Sequence, residues 1–439
     1  MKKSIYNHLC FIENRWVLYN ALSDELAMLD SDVKELFVNS SVSEIETKHP
    51  DFYQFARDKK FIIPTDIVES DSCIAKWEKQ DNDMRHFSLT INPTLDCNMR
   101  CWYCYEKHSH QRKMTQDVMV KTCKFIENSL SMPKLESFDI SFFGGEPLIE
   151  YKRIVQPIIN HTIGLATAHE KKFSLNFVTN GFLLSNEVIS YLSSLGIPVS
   201  FQITLDGNEE FHNKTRHTVG GKGSYTRILE NCKRLLEYTG LKITLRFNYT
   251  NQNADSFIDV LTDIMELGIQ PSESIHVDFQ RVWQDVGDKE SVEERIDYVR
   301  QSFAKQGFSV SDTKDVQKYR CYADGNNHIV INYDGNLYHC TARDFTKENS
   351  EGVLLDDGTL QFNERSALRS KIKWGNPTCQ ACRIYPICQG LCSQNKLDHM
   401  GNNACLIGYS EKEKDELLVR RIKYLVKQSK LLASSNSKH

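Results

Sequence analysis

Three cysteines inside eight residues, Cys97-Asn98-Met99-Arg100-Cys101-Trp102-Tyr103-Cys104, constrain this 439-residue chain more than any other feature. Spacings of three and then two residues put three thiolates on one loop. That suffices for three of the four irons of a cubic iron–sulfur cluster and leaves one iron without a protein thiolate. Zinc is the alternative, because a structural zinc site needs a fourth protein ligand and His108 or His110 is close enough in sequence to supply it. Three unrelated cysteines at this density is the weakest reading. A strand-like run, Phe87 to Ile91, precedes the loop, and a second ends at Gly144-Gly145-Glu146-Pro147, a glycine pair followed by a carboxylate.

Together these two strand ends resemble the radical S-adenosylmethionine (SAM) enzymes, whose most specific marks are a CxxxCxxC loop after the first strand and a GGEP motif after the second. The resemblance implies that Cys97, Cys101 and Cys104 hold a [4Fe-4S] cluster whose open iron chelates the amino and carboxylate groups of SAM. One electron from that cluster then breaks the sulfonium C–S bond and gives a 5′-deoxyadenosyl radical. Gly144 and Gly145 would let backbone approach the methionine amino group, with Glu146 offsetting its charge. Tyr103 is similar to the family residue that leans on adenine. Thr204, and Arg216 twelve positions later, match positions that hold the cofactor carboxylate, a task suited to an arginine fork. Asn180, in Thr179-Asn180-Gly181, is expected at the ribose, with a plain strand-to-helix turn as the alternative.

Composition narrows the setting. A length of 439 residues with 40% hydrophobic content supports two or three domains, and a net charge of -4 gives no basic field for nucleic acid. Fourteen cysteines would suit a secreted disulfide scaffold. The length, an N-terminus without the apolar core of a signal peptide, and metal-like cysteine spacing oppose that reading. No apolar run is long enough to span a membrane. The expectation is a cytoplasmic protein with neither nucleic acid nor membrane as partner.

Along the chain, residues 1–64 read as a winged-helix-like module: a hairpin around Glu13-Asn14, a helical stretch and a terminal strand. In the family it resembles, such a module often resembles an element that grips a leader peptide on a strand edge; a domain that only caps the barrel is the reading preferred over it. Residues 65–84 read as a polar linker or surface helix, with Cys73 a free thiol. From 85 to 308, six strands (Arg85–Asn92, Phe138–Phe143, Phe173–Thr179, Val199–Leu205, Lys242–Tyr249, Ile275–Val282) alternate with six helices, an α/β pattern that predicts a parallel sheet. The count matches the partial (β/α)6 barrel of the radical SAM family. Residues 411–439 read as an amphipathic helix and tail, with Leu418, Ile422, Leu425 and Leu432 on one side.

Between 309 and 410 the cysteines return. Cys321, then Gly335 and Cys340, then Cys379, Cys382, Cys388, Cys392 and finally Cys405 resemble the iron–sulfur SPASM extension, with Asp334-Gly335 as a turn signal. The resemblance assigns Cys379, Cys382, Cys388 and Cys405 to one auxiliary [4Fe-4S] cluster, and Cys321, Cys340 and Cys392 to another. That makes three clusters in all. Residues 322–339 hold no further cysteine, so one iron of the last cluster is open to His328, His339, water or a substrate thiolate.

The function implied is a peptide maturase that crosslinks a ribosomally made precursor, through a thioether or a carbon–carbon bond, with flavodoxin or ferredoxin as electron donor. An anaerobic sulfatase-maturating enzyme is the first alternative; there the cysteine corresponding to Cys340 is followed by an aspartate base, whereas this chain has Thr341. Asp344, Asp334 and Tyr338 are other proton acceptors nearby. A non-enzymatic iron–sulfur or zinc peptide-binding protein is the second alternative.

Overall fold

A computed structural model describes residues 1–106, 112–311 and 320–436. His108 and His110, weighed above as zinc ligands, lie outside the described residues. The chain divides into two compact units. The first comprises Met1–Asn82, Asp312–Gly325 and Ala367–His439, and the second Asp83–Ser311 and Asn326–Ser366.

In the first unit a short β1 (Lys2–Lys3) is paired later in the chain by β5 (Ile62–Ile63). Between them, β2 (Asn7–Ile12), β3 (Arg15–Asn20) and β4 (Glu25–Leu29) form an antiparallel sheet with β3 in the middle. The hairpin turn falls at Glu13 and Asn14, both at positive φ (50° and 63°), the backbone that matches strand twist in a two-residue hairpin. Three helices follow, Ser31–Asn39, Val42–Lys48 and Pro50–Asp58. The second opens on a capping box between Ser41 and Glu44, which satisfies two orphan donors at once. Leu18, Phe37, Ile45, Phe52 and Phe61 bury together beneath them.

The stretch 65–84, read as a polar linker or a surface helix, is helical and partly embedded. Helix Glu69–Asp81 buries Cys73 and Trp77, one turn apart on one face, and Trp77 stacks on Trp374 at 5.3 Å between ring centres. Two buried apolar residues in a helix of mostly polar and charged ones were too few to read from composition. Residues 1–64 are likewise no free-standing module. Tyr6, Val17 and Tyr19 share a buried cluster with Ile384, Tyr385, Leu418 and Ile422, the last two from helix Glu411–Asn436. Leu425 packs against that cluster as expected; the side chain of Leu432 lies outside what is described.

The second unit is built on one large sheet. Strands β6 (His86–Ile91), β7 (Ser137–Phe142), β8 (Lys172–Thr179), β9 (Val199–Leu205), β10 (Leu241–Tyr249), β11 (Ile275–Arg281) and β12 (Ser309–Val310) lie in sequence order, each parallel to its neighbours. One face carries Leu89, Ile140, Leu175, Phe201, Leu245 and their like, fully buried in the main core. The other face carries Ser88, Ser141, Asn176, Gln202, Thr204 and Arg246, only half-buried. Parallel strands are usually apolar on both faces, so this alternation marks a sheet with one face kept polar.

The boundary drawn at residue 308 moves. Strands β13 (His328–Ile331), β14 (Asn336–Tyr338), β15 (Gly352–Leu354) and β16 (Leu360–Phe362), read above as part of the C-terminal extension, continue this same sheet. β13 pairs parallel with β6 and covers an edge that would otherwise present unpaired backbone groups. Gly335 makes the β13–β14 turn at φ 79°, as its position after Asp334 predicts.

β13 also carries a pH-sensitive group. His328 is buried and shares a 3.1 Å hydrogen bond with Thr90 Oγ1. Burial first, and His339 second, push its pKa from 6.5 down to about 3. The unfolded chain therefore takes up that proton more readily, so this contribution to stability is complete above the unfolded value and is lost as pH falls towards the folded one. Within the window the slope is at most about 1.4 kcal/mol per pH unit. His328→Gln is expected to flatten the fall in urea midpoint between about pH 7 and about pH 5; an unchanged slope would assign the acid sensitivity elsewhere.

Candidate active site

The carboxyl ends of β6 and β7 are sewn together by backbone. Gly145 N donates to Thr94 O (3.1 Å) and Glu146 N to Asp96 O (2.8 Å), which lays the GGEP segment along the lead-in to Cys97. Gly144 sits at φ 103°, and a Cβ on Gly144 or Gly145 would collide with the carbonyl of Thr94 or Asp96 respectively. Both glycines are thus required by the close approach of two strand ends. Gly145→Ala is expected to cost roughly 1–3 kcal/mol, as overpacking does, and to weaken SAM binding by displacing the cysteine loop. Thermal unfolding and equilibrium titration read the two effects; an unperturbed variant would mean the loop is not set by this contact.

Cys97 is buried, and Met99 N donates to its Sγ at 3.4 Å. Cys101 and Cys104 are half-buried and joined by a Cys104 N to Cys101 O bond of 3.1 Å. As thiols they are hard to ionise: burial pushes Cys97 up to about 12 and Cys104 up to about 11, and Arg216 opposes the shift at all three cysteines. Thiols screened from water, with Arg216 a cationic neighbour of all three and Arg100 a second one of Cys101, suit a metal cluster, which takes them as thiolates.

Glu146 is fully buried and committed to the chain. It accepts from Thr179 Oγ1 (2.8 Å), Leu148 N (3.1 Å) and Asn180 N (2.8 Å), so it ties the ends of β7 and β8. Burial still raises its pKa against those bonds. Asn180 does two jobs: its Oδ1 accepts from Phe182 N (3.0 Å) as a turn residue would, and its Nδ2 donates to Asn98 Oδ1 (2.7 Å) in the cysteine loop.

Tyr103 hydroxyl is the centre of a buried network. It donates to Asp206 (2.9 Å to Oδ2) and accepts from Arg216 (2.8 Å) and Asn248 Nδ2 (3.0 Å). Arg216 also lies 3.7 Å from Asp206 Oδ2, and its Nε is buried without a partner among the described residues. Burial lifts Asp206 to about 6 while Arg216 pulls it down. Thr204 stands in register with Arg246 of β10, and no hydrogen bond among the described residues joins it to Arg216. Asp206 and Asn248 were missed; a carboxylate directly after a strand of apolar alternation, in Thr204-Leu205-Asp206-Gly207, was the available signal for the first.

Glu106, also missed, is buried. Burial, with Asp344 adding repulsion, raises Glu106 to about 8. Of the other proton acceptors named above, Asp334 is held by Asn332 and Asn336 in the β13–β14 turn, and Tyr338 donates to Thr346 O at 2.9 Å. His339 is paired with Glu351 at 2.9 Å.

In the first unit Cys379, Cys382, Cys388 and Cys405 line one cavity of about 300 Å³. Gly390 lies against it at φ 69°, where a Cβ would press on Cys379 Sγ. Four thiols around one void fit a four-iron cluster. Cys321 and Cys392 are hydrogen-bonded to each other, which lowers Cys392 and raises Cys321. Cys340 belongs to the second unit, where Ala342 N donates to its Sγ at 3.3 Å.

Residues 91–264 match the Radical SAM superfamily. The radical SAM cyclopropyl synthase TigE of Paramaledivibacter caminithermalis is 23% identical, over 95% of this chain and 91% of that protein. A cysteine-type anaerobic sulfatase-maturating enzyme of Clostridium novyi is 24% identical, over 78% of this chain and 98% of that one. Among solved structures, native anSMEcpe with bound AdoMet superposes with a TM-score of 0.60 at 17% identity, covering 79% of this chain and 99% of that one. Streptococcus suis SuiB gives 0.50 at 16% identity, covering 92% and 98%. Residues 91–264 of the second unit are therefore a radical SAM domain, and the fold around them is shared with solved structures.

Proposed function

We propose that this chain is a radical SAM peptide maturase, with a partial (β/α)6 barrel, a winged-helix-like leader-binding module in residues 1–64 and a SPASM extension carrying two auxiliary clusters. The observation that carries the reading is one loop with a buried and two half-buried thiols, laid along a glycine-built strand end, with Arg216 as a cationic neighbour of all three and its Nε without a partner among the described residues. When bound, a [4Fe-4S] cluster at Cys97, Cys101 and Cys104 supplies the electron that cleaves SAM. The residues supply position. Arg216 offers its fork to the cofactor carboxylate, Tyr103 and Asp206 hold that fork in place, and Asn180 braces the cysteine loop beside it. Thr204, Gly144, Gly145 and Glu146 complete the proposed cofactor cradle. Relatives named as maturation enzymes support a peptide substrate, and an electron donor such as flavodoxin or ferredoxin in the cytoplasm completes the reading.

Sulfatase maturation is the second reading, favoured by the C. novyi enzyme, of which this chain covers 98%. Thr341 after Cys340 and the additional sheet-and-helix module oppose it. Mass spectrometry of a precursor peptide encoded beside this chain, after anaerobic incubation with SAM and a reductant, separates the two. A crosslinked product that does not react with an aldehyde trap is expected; a hydrazide-trapped formylglycine would reverse the order.

The leader-binding role predicts a local effect. Deleting residues 1–64 would strip Tyr6, Val17 and Tyr19 from a shared core, so a surface change is the cleaner probe. Met28 lies 63% exposed on β4, which pairs within its sheet only with β3. If a leader strand adds there, Met28→Lys gives up burial worth roughly 1.5–3 kcal/mol, about tenfold or more in affinity. Fluorescence anisotropy with the labelled precursor measures this. Undiminished affinity would remove β4 from the docking site, while SAM cleavage without peptide should be unaffected.

A further inference from the structure

Arg246 carries a guanidinium that the chain itself leaves open. It lies within β10, half-buried on the polar face of the sheet, in register between Thr204 of β9 and Asp278 of β11. Its Nε donates to Asn248 Oδ1 at 3.2 Å, and Asn248 Nδ2 donates in turn to the Tyr103 hydroxyl at 3.0 Å. Arg216 reaches that same hydroxyl at 2.8 Å, so both arginines are tied to one tyrosine. The carboxylate beside Arg246 in register does not close its fork. Asp278 accepts from Gln280 Nε2 at 3.1 and 3.0 Å, and among the described residues the two terminal nitrogens of Arg246 make no hydrogen bond or ion pair. A guanidinium held through Nε with both terminal nitrogens unspent is set to take a carboxylate bidentately.

SAM has a single carboxylate, which the reading above gives to Arg216, and a second open fork calls for a second carboxylate. We infer that Arg246 is a specificity site for the peptide substrate: it receives a carboxylate of that peptide, from an Asp or Glu side chain or from the free C-terminus, beside the cofactor cradle. The inference rests on the reading of this chain as a peptide maturase and of Arg216 as the residue that holds the SAM carboxylate. Half-burial matters here, because a fully exposed ion pair contributes little whereas a partly desolvated, bidentate one contributes both affinity and orientation.

The test is a double-mutant cycle read by fluorescence anisotropy, with the reconstituted full chain, saturating SAM and the labelled precursor peptide encoded beside this chain. Each acidic residue of the precursor is changed to its amide in turn, and a further version has an amidated C-terminus. Arg246→Gln is expected to weaken the unchanged precursor about tenfold and to have no such effect on one of the altered versions, which identifies the carboxylate as side chain or terminus. Arg246→Lys keeps the charge without the fork and should fall between; iron content and thermal unfolding are the controls, and one variant that folds suffices. Equal weakening against every version, or none, would overturn the inference. So would a loss confined to SAM affinity, which would give the residue to the cofactor. Wild-type SAM affinity in Arg216→Gln would instead overturn the cofactor assignment beneath it, and with it the argument for a second carboxylate.

Discussion

Replacing Cys97, Cys101 and Cys104 together with alanine is expected to remove about one four-iron cluster per chain and to abolish reductive cleavage of SAM. Cys97 belongs to the main core, so thermal unfolding of the variant is the control. Cys101 and Cys104 are half-buried on a loop, and the strand ends around them are held by backbone bonds from Gly145 and Glu146 that alanine leaves in place. The auxiliary cluster proposed at the four cysteines that line a cavity of the first unit is expected to remain. Iron and sulfide analysis therefore reads a partial loss, and chromatography for the cleavage product reads a complete one. Retained cleavage in the triple variant would place the chemistry elsewhere.

Arg216→Gln is expected to weaken SAM binding by roughly 10- to 100-fold, the range for losing a charge-assisted hydrogen bond of about 1.5–3 kcal/mol, with cluster content retained. Arg216→Lys should recover only part of this, since a point charge cannot keep the bond to Tyr103 and serve a carboxylate at once. Arg216 is also the charge that pulls Asp206 down against burial, so the Gln variant should leave that carboxylate more protonated near neutral pH. Equilibrium titration with SAM in the reconstituted protein measures the affinity. Wild-type affinity in Arg216→Gln would remove the residue from the cofactor cradle.

The sequence was most informative where periodicity and chemistry coincide. All six strands between residues 85 and 308 occur within a residue or so of their expected positions, and helix Gln116–Leu130 and strand Val199–Leu205 match at both ends, because long apolar alternations leave little choice of period. The resemblance to the SPASM extension grouped Cys379, Cys382, Cys388 and Cys405, and these four line one cavity. What failed was tertiary. Helix Glu69–Asp81 is anchored by Cys73 and Trp77 in a mostly polar and charged stretch, and β13, only four residues long, joins β6 across some 240 residues of chain. Neither pairing leaves a local mark. Asp206 and Asn248 were missed for a related reason: each becomes a partner of Tyr103 only when separate strand ends converge.

The most direct test is the amount of 5′-deoxyadenosine formed when the reconstituted protein is incubated anaerobically with SAM, a reductant and its precursor peptide. The account predicts that 5′-deoxyadenosine accumulates in step with modified peptide and that neither forms in the triple cysteine variant. A protein with a full cluster at Cys97, Cys101 and Cys104 that releases no 5′-deoxyadenosine, or that modifies the peptide without it, would contradict the account.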